Sequence, residues 1–150
     1  VTTPENITAA HPEYLSYRVK RLYMLISQRI NDTLKPYGLA RSQWQVLSRV
    51  SRAGTLSQKG LQHAMQVESA TLTGIVDVLA AKGWIERLES PDDKRCRVLR
   101  LTSGGQELMA RIPDPYEIIE TRMLDGLPAP VRSQAQGVLE SMIGNLEDRS

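Results

Sequence analysis

Two helical patterns that meet across only Val67 and Glu68 restrict the fold of this chain more than any other feature. The first, with Ser57 as its cap, turns Leu61, Ala64 and Met65 inward and runs to about Gln66. The second, from about Ser69 to Lys82, gathers Leu72, Ile75, Val76 and Leu79 on one side. Two helices joined by so tight a link are a helix-turn-helix candidate. On the second of them Ser69, Ala70, Thr71, Thr73, Gly74 and Asp77 lie off the apolar face. Small polar groups suit a helix that enters the major groove, where hydroxyls and methyls meet base edges and bulky apolar groups block approach. Taken alone, the same pattern is that of a plain amphipathic helix with a polar outer face.

The segment after the helix pair decides between these readings. Gly83 ends the second helix, and Trp84 to Glu89 and Arg97 to Leu101 read as two short strands. The polar segment Ser90-Pro91-Asp92-Asp93-Lys94-Arg95-Cys96 between them makes a hairpin whose tip offers Lys94 and Arg95 to a minor groove or a phosphate. A solvated hairpin with idle charges is the alternative, supported by Glu86, Glu89, Asp92 and Asp93 nearby.

Upstream, Leu15, Val19, Leu22, Ile26, Ile30 and Leu34 mark a long amphipathic helix from Glu13 to Lys35, ended by Pro36 and Gly38. Ser42 is the expected N-cap of a further helix carrying Trp44, Val46, Leu47 and Val50. Downstream, Thr102 caps a helix with Leu108, Met109 and Ile112, and Pro113 and Pro115 interrupt it. Helical spacing resumes through Tyr116, Ile119, Met123 and Leu124, and again from Val131 to Leu146. The fold class expected is mostly α with a small β-hairpin wing. Residues 37–102 form a winged helix-turn-helix body, and residues 13–36 and 103–150 form dimerisation helices, because the terminal helices carry more apolar surface than one small domain covers.

Composition removes several other classes. No apolar run approaches the roughly 18 residues of a membrane span, and residues 1–11 lack the basic start and apolar stretch of a secretory signal, so a cytoplasmic location is expected. One cysteine and two histidines are too few for a convincing Cys/His metal centre. No nucleophile with a base, phosphate-cradling loop or paired carboxylates stands at a recognisable spacing, so neither enzyme activity nor a cofactor is expected. Up to Thr102 there are 15 Lys and Arg against 9 Asp and Glu; from Ser103 on there are 4 against 8. A basic body joined to acidic helices suits a partner that is itself a polyanion, since phosphate neutralisation needs clustered cations.

Several strings taken in order resemble the MarR family of bacterial regulators over nearly the whole chain. They are Tyr37-Gly38-Leu39-Ala40 with Ser42-Gln43-Trp44-Gln45-Val46-Leu47, then Glu68-Ser69-Ala70-Thr71-Leu72-Thr73. The wing region is the most specific: Leu79-Ala80-Ala81-Lys82-Gly83-Trp84-Ile85-Glu86-Arg87, Asp92-Asp93-Lys94-Arg95-Cys96 and Leu101-Thr102-Ser103-Gly104-Gly105. The resemblance implies a homodimer on double-stranded DNA, with Ser69, Ala70, Thr71, Thr73 and Gly74 towards the major groove and Arg95 in a minor groove. Asp93 would orient the wing by charge-assisted hydrogen bonds. Lys94, Arg97, Gln58, Gln62, Lys59 and Arg87 are further candidate contacts. Relatives often carry basic residues where this chain has Gly74 and Val78, so its groove-facing surface is less cationic. Gly74 reflects either a close approach to DNA or a tolerated cost.

The resemblance also implies a small effector, often an aromatic acid or phenolic compound, that releases a repressor from a pseudo-palindromic operator. Tyr14, Arg18, Trp44 and Met109 are the candidate ligand residues, although a tryptophan such as Trp44 more often belongs to a core. Two alternatives stand beside this one: a winged helix that binds protein instead of DNA, and a redox-responsive regulator acting through Cys96 beside Lys94, Arg95 and Arg97.

Overall fold

Three-and-four spacing of apolar residues produces the first helix, α1 (Leu15–Leu34), of which only the C-terminal Ile30 and Leu34 are buried. It tightens into a 3-10 turn at Lys35–Tyr37, and Gly38 closes that turn with φ +67°, a left-handed conformation that glycine adopts without steric cost. The computed structural model describes residues 13–147, in two compact units that divide after Pro115. The first unit continues with α2 (Arg41–Ala53), β1 (Thr55–Ser57), α3 (Gln58–Met65), α4 (Ser69–Ala81), β2 (Ile85–Glu89), β3 (Arg97–Leu101) and α5 (Ser103–Arg111).

The start of α2 departs from the expectation. Ser42 lies inside the helix, and Ala40 is the capping position; the Gln43 side chain accepts the Ala40 N–H at 3.1 Å, so the helix begins ahead of the serine. Ser57 and Thr102 do cap. Ser57 Oγ accepts from the Gly60 N–H and Thr102 Oγ1 from the Gly105 N–H, each at 3.0 Å. Ser57→Ala is expected to cost about 1 kcal/mol, measurable as a lower denaturant midpoint with an unchanged slope.

The sheet has three strands, in the order β1-β3-β2, where sequence patterning shows two. Residues Ile85↔Leu101, Arg87↔Leu99 and Glu89↔Arg97 face each other across the hairpin, and the short β1 adds Leu56↔Leu99 on the other edge of β3. Leu99 is fully buried, and with Ile30, Leu34, Leu47, Leu61, Leu72, Val76 and Leu79 it forms the core of this unit. α3, α4 and the hairpin are thus all anchored on one apolar centre.

Gly105 shows how closely α5 is seated. A Cβ added there would lie 2.0 Å from the Trp84 carbonyl oxygen, the same oxygen that accepts the Thr102 N–H at 3.2 Å. At the other end of α5, Ile112 is extended ahead of Pro113, which disfavours helical backbone in the residue before it. Helix α6 (Pro115–Met123) begins on a proline, and the second unit is completed by α7 (Ala129–Glu147). No residue of α7 is buried, and Val131, Val138, Leu139, Ile143 and Leu146 all lie exposed.

Candidate nucleic-acid interface

The link between α3 and α4 is a left-handed closure on a non-glycine residue. Gln66 takes φ +52°, and its N–H and that of Val67 return to the carbonyls at the end of α3. Helix α4 then starts at Ser69. Ser69, Ala70, Thr71, Gly74, Asp77 and Val78 are exposed, while Leu72, Val76 and Leu79 hold the opposite face in the core.

The remaining candidates on these helices are placed differently. Thr73 is half-buried, and its hydroxyl accepts the Gln58 side-chain amide at 3.2 Å, so these two residues brace α3 against α4. Gln62 is half-buried and lines a shallow cleft with Lys59, His63, Gln66 and Val67. Asp77, the single charged residue of α4, makes an ion pair with Arg87 of β2. This tie between α4 and the hairpin is not visible in the sequence, where Arg87 stands only as a cation near the wing.

The hairpin tip is internally organised. Ser90 N–H bonds the Cys96 carbonyl at 3.0 Å, and Cys96 N–H bonds the Asp93 carbonyl at 2.9 Å. Asp93 Oδ1 accepts the Arg95 N–H at 2.9 Å and lies 3.7 Å from the Arg95 Nε. The guanidinium is otherwise in solvent: the Arg95 side chain is 95% exposed, and Lys94 and Arg97 are exposed beside it. Of the acids nearby, Glu86 pairs with Arg100 at 2.7 Å and Asp77 pairs with Arg87. The exposed Cys96 thiol donates to Asp93 Oδ2 at 3.7 Å, so its immediate neighbour is an acid and not the basic cluster invoked for redox activity.

The four candidate ligand residues are not brought together. Trp44 and Met109 line one cleft of about 400 Å³ with Ser48, Ser51, Arg52, Gln106, Ala110, Ile112 and Asp114. Tyr14 precedes α1 and Arg18 lies in its first turns, and neither lines that cleft. A larger, open cleft of about 680 Å³ runs between α1 and α2 past Tyr23, Ser27, Asn31, Arg41 and Gln45. There Arg41 Nη1 donates to Ser27 Oγ at 2.9 Å and to the Tyr23 hydroxyl at 3.4 Å. Hydrogen bonding from Arg41, then from Ser27, holds the Tyr23 phenol below its ordinary pKa. Sequence reasoning missed this group, because the partners are separated by a helix end and share no periodic signal. Among the described residues no three His, Cys, Asp or Glu side chains are grouped to hold a metal ion, and no helix is long and apolar enough to cross a membrane.

Comparison with known proteins gives a family match and similar folds. Residues 39–97, the span from just before α2 to the first residue of β3, match the MarR family. The chain is 31% identical over 111 residues to an uncharacterized HTH-type transcriptional regulator, YwoH, of Bacillus subtilis, covering 74% of this chain and 75% of YwoH. To the multiple antibiotic resistance protein MarR of Escherichia coli it is 34% identical over 89 residues, 57% of this chain and 62% of that protein. A mutant form of that MarR, complexed with operator DNA, has the same fold, with TM-score 0.74, 23% identity and coverage of 85% of this chain and 92% of that one. So has BpsR of Bordetella bronchiseptica, a protein whose DNA binding is regulated by 6-hydroxynicotinic acid, with TM-score 0.74, 23% identity and coverage of 87% and 94%.

Proposed function

The chain belongs to the MarR family, and from that premise we propose that it is a transcriptional repressor whose homodimer reads a pseudo-palindromic operator and is released by a small ligand. One observation carries the proposal most directly. A helix with a small, polar, exposed face stands on the same core as a hairpin whose exposed tip holds Lys94 and Arg95, with Arg97 exposed at the start of β3 beside it.

In this reading α4 enters the major groove with Ser69, Ala70, Thr71 and Gly74, and Thr73 and Gln58 set its angle. Arg95 reaches the flanking minor groove, and Asp93 holds the loop that presents it. Gln62, Lys59, Lys94 and Arg97 serve phosphates. The protein works by binding and not by catalysis, and its place is the cytoplasm. Leu15, Val19, Leu22 and Leu25 on α1 and the exposed apolar residues of α7 are surface that a second copy would cover. Two recognition helices about 34 Å apart then match successive major grooves on one side of the duplex.

The ligand proposed is a small aromatic acid or phenol. A cleft walled by Trp44 and Met109 offers an aromatic edge to such a molecule, and Arg52, ion-paired with Asp114 at 3.4 Å at its rim, would exchange that partner for the ligand's anionic group. A ligand of differential affinity for two arrangements of the dimer shifts it away from DNA. Selection from a random duplex library tests the proposal: an enriched inverted repeat with half-sites about one helical turn apart is expected. Enrichment of single, unpaired sites would contradict the dimeric reader.

A further inference from the structure

We propose that α4 reads its half-site through the C5-methyl groups of thymine, with Ala70, Thr71 and Val78 as the contacting side chains and Gly74 as the point where the helix backbone meets the bases. The proposal rests on the DNA-binding reading and names the specificity of that same helix.

The first line of support is chemical. Guanine is read in the major groove by Arg or Lys, adenine by Asn or Gln, either by the short hydroxyls of Ser and Thr, and thymine by apolar contact with its methyl group. Helix α4, SATLTGIVDVLAA, contains no Arg, Lys, Asn, Gln or His. Its single charged side chain, Asp77, is paired with Arg87, and the Thr73 hydroxyl is engaged by Gln58. What the outer face offers is the methyls of Ala70 and Thr71, the hydroxyls of Ser69 and Thr71, and Val78, an apolar side chain left 42% exposed. Thr71, Gly74 and Val78 stand at i, i+3 and i+7, a single row along the helix.

Gly74 supplies a second, independent observation. Its φ is not positive, and a Cβ built on it would meet nothing within 4 Å. Neither the backbone nor the packing of the chain asks for glycine there, although glycine weakens a helix interior relative to alanine. A glycine that nothing inside the protein requires, on the outer face of a recognition helix, fits the close approach of a surface from outside. The absence of a side chain at this position brings Thr71 and Val78, one turn to either side, down to the level of the base edges.

The test uses the full chain and the best duplex recovered from the random library. Replacing half-site thymines by deoxyuridine removes only the methyl group, and each contacted methyl is expected to be worth about fourfold in affinity. Thr71→Ser and Val78→Ala should weaken binding to the thymine duplex by a similar factor and lose little more on the deoxyuridine duplex. Gly74→Ala should raise the melting temperature by about 2–4 °C while weakening operator binding about tenfold. Deoxyuridine duplexes bound as tightly as thymine duplexes would overturn the proposal, as would a Gly74→Ala protein that gains stability with no loss of affinity. If the wild-type chain binds no duplex at all, the DNA-binding reading falls as well, so the two failures are distinct.

Discussion

Gly105→Ala is expected to lower the melting temperature by about 10 °C, corresponding to about 3 kcal/mol of overpacking in a chain of this size. The added methyl would sit 2.0 Å from the Trp84 carbonyl oxygen, where no flexible side-chain end is available to swing away. Relief requires α5 to move off the Gly83–Trp84 turn between α4 and β2, which also strains the Thr102 N–H bond to that oxygen and the Thr102 cap on Gly105. The adjacent Gly104 is the control. Its added methyl would make only ordinary contacts, at 3.5 Å to the Gly83 carbonyl and 3.7 Å to Thr102 Oγ1, so Gly104→Ala should leave the melting temperature unchanged or slightly raised. Equal stability of the two variants, measured by thermal unfolding, would contradict this docking of α5.

Arg95→Ala is expected to weaken operator binding by about 10- to 100-fold, the range for a charge-assisted contact, with the dimer and the melting temperature unchanged. The side chain is 95% exposed and buries nothing, so its removal leaves the fold untouched. Asp93→Ala should have a smaller effect of the same sign. It keeps the cation but loses the acceptor that fixes the Arg95 backbone and lies 3.7 Å from its Nε. Fluorescence anisotropy on the selected duplex, with sedimentation as the check on dimer state, measures both. Unchanged affinity in Arg95→Ala would remove the wing from the interface.

Those parts of the fold that depend on local periodicity and capping were legible in the sequence. Leu72, Val76 and Leu79 repeat at helical spacing and are buried; Ser57 and Thr102 are good capping residues, and both cap. Strand β1 was not legible, because three residues with a single apolar member, Leu56, are too short a run to establish an alternation, and what makes them a strand is the distant pairing with β3. The cap of α2 falls on Ala40 and not on Ser42 for a related reason: Ser42 has the better capping chemistry, but Gln43 already satisfies the Ala40 N–H. At the candidate site the outward face of α4 followed from its period. The ties Asp77–Arg87, Gln58–Thr73 and Arg41–Ser27 depend on how elements pack, and spacings of 10, 15 and 14 residues across turns carry no sequence signal. For the same reason Tyr14 and Arg18, grouped with Trp44 and Met109 on residue type, lie away from the cleft those two share.

Salt dependence of duplex binding decides whether this protein grips a polyanion through its winged body. Lys59, Lys94, Arg95 and Arg97 are exposed in each protomer, so a dimer offers eight cations to phosphates. Counterion release then predicts a slope of about −7 in a plot of log K against log salt, a loss of about four orders of magnitude between roughly 50 and 200 mM. A slope near zero, or no measurable duplex binding at the lowest salt, would contradict the claim and favour a winged helix that binds protein.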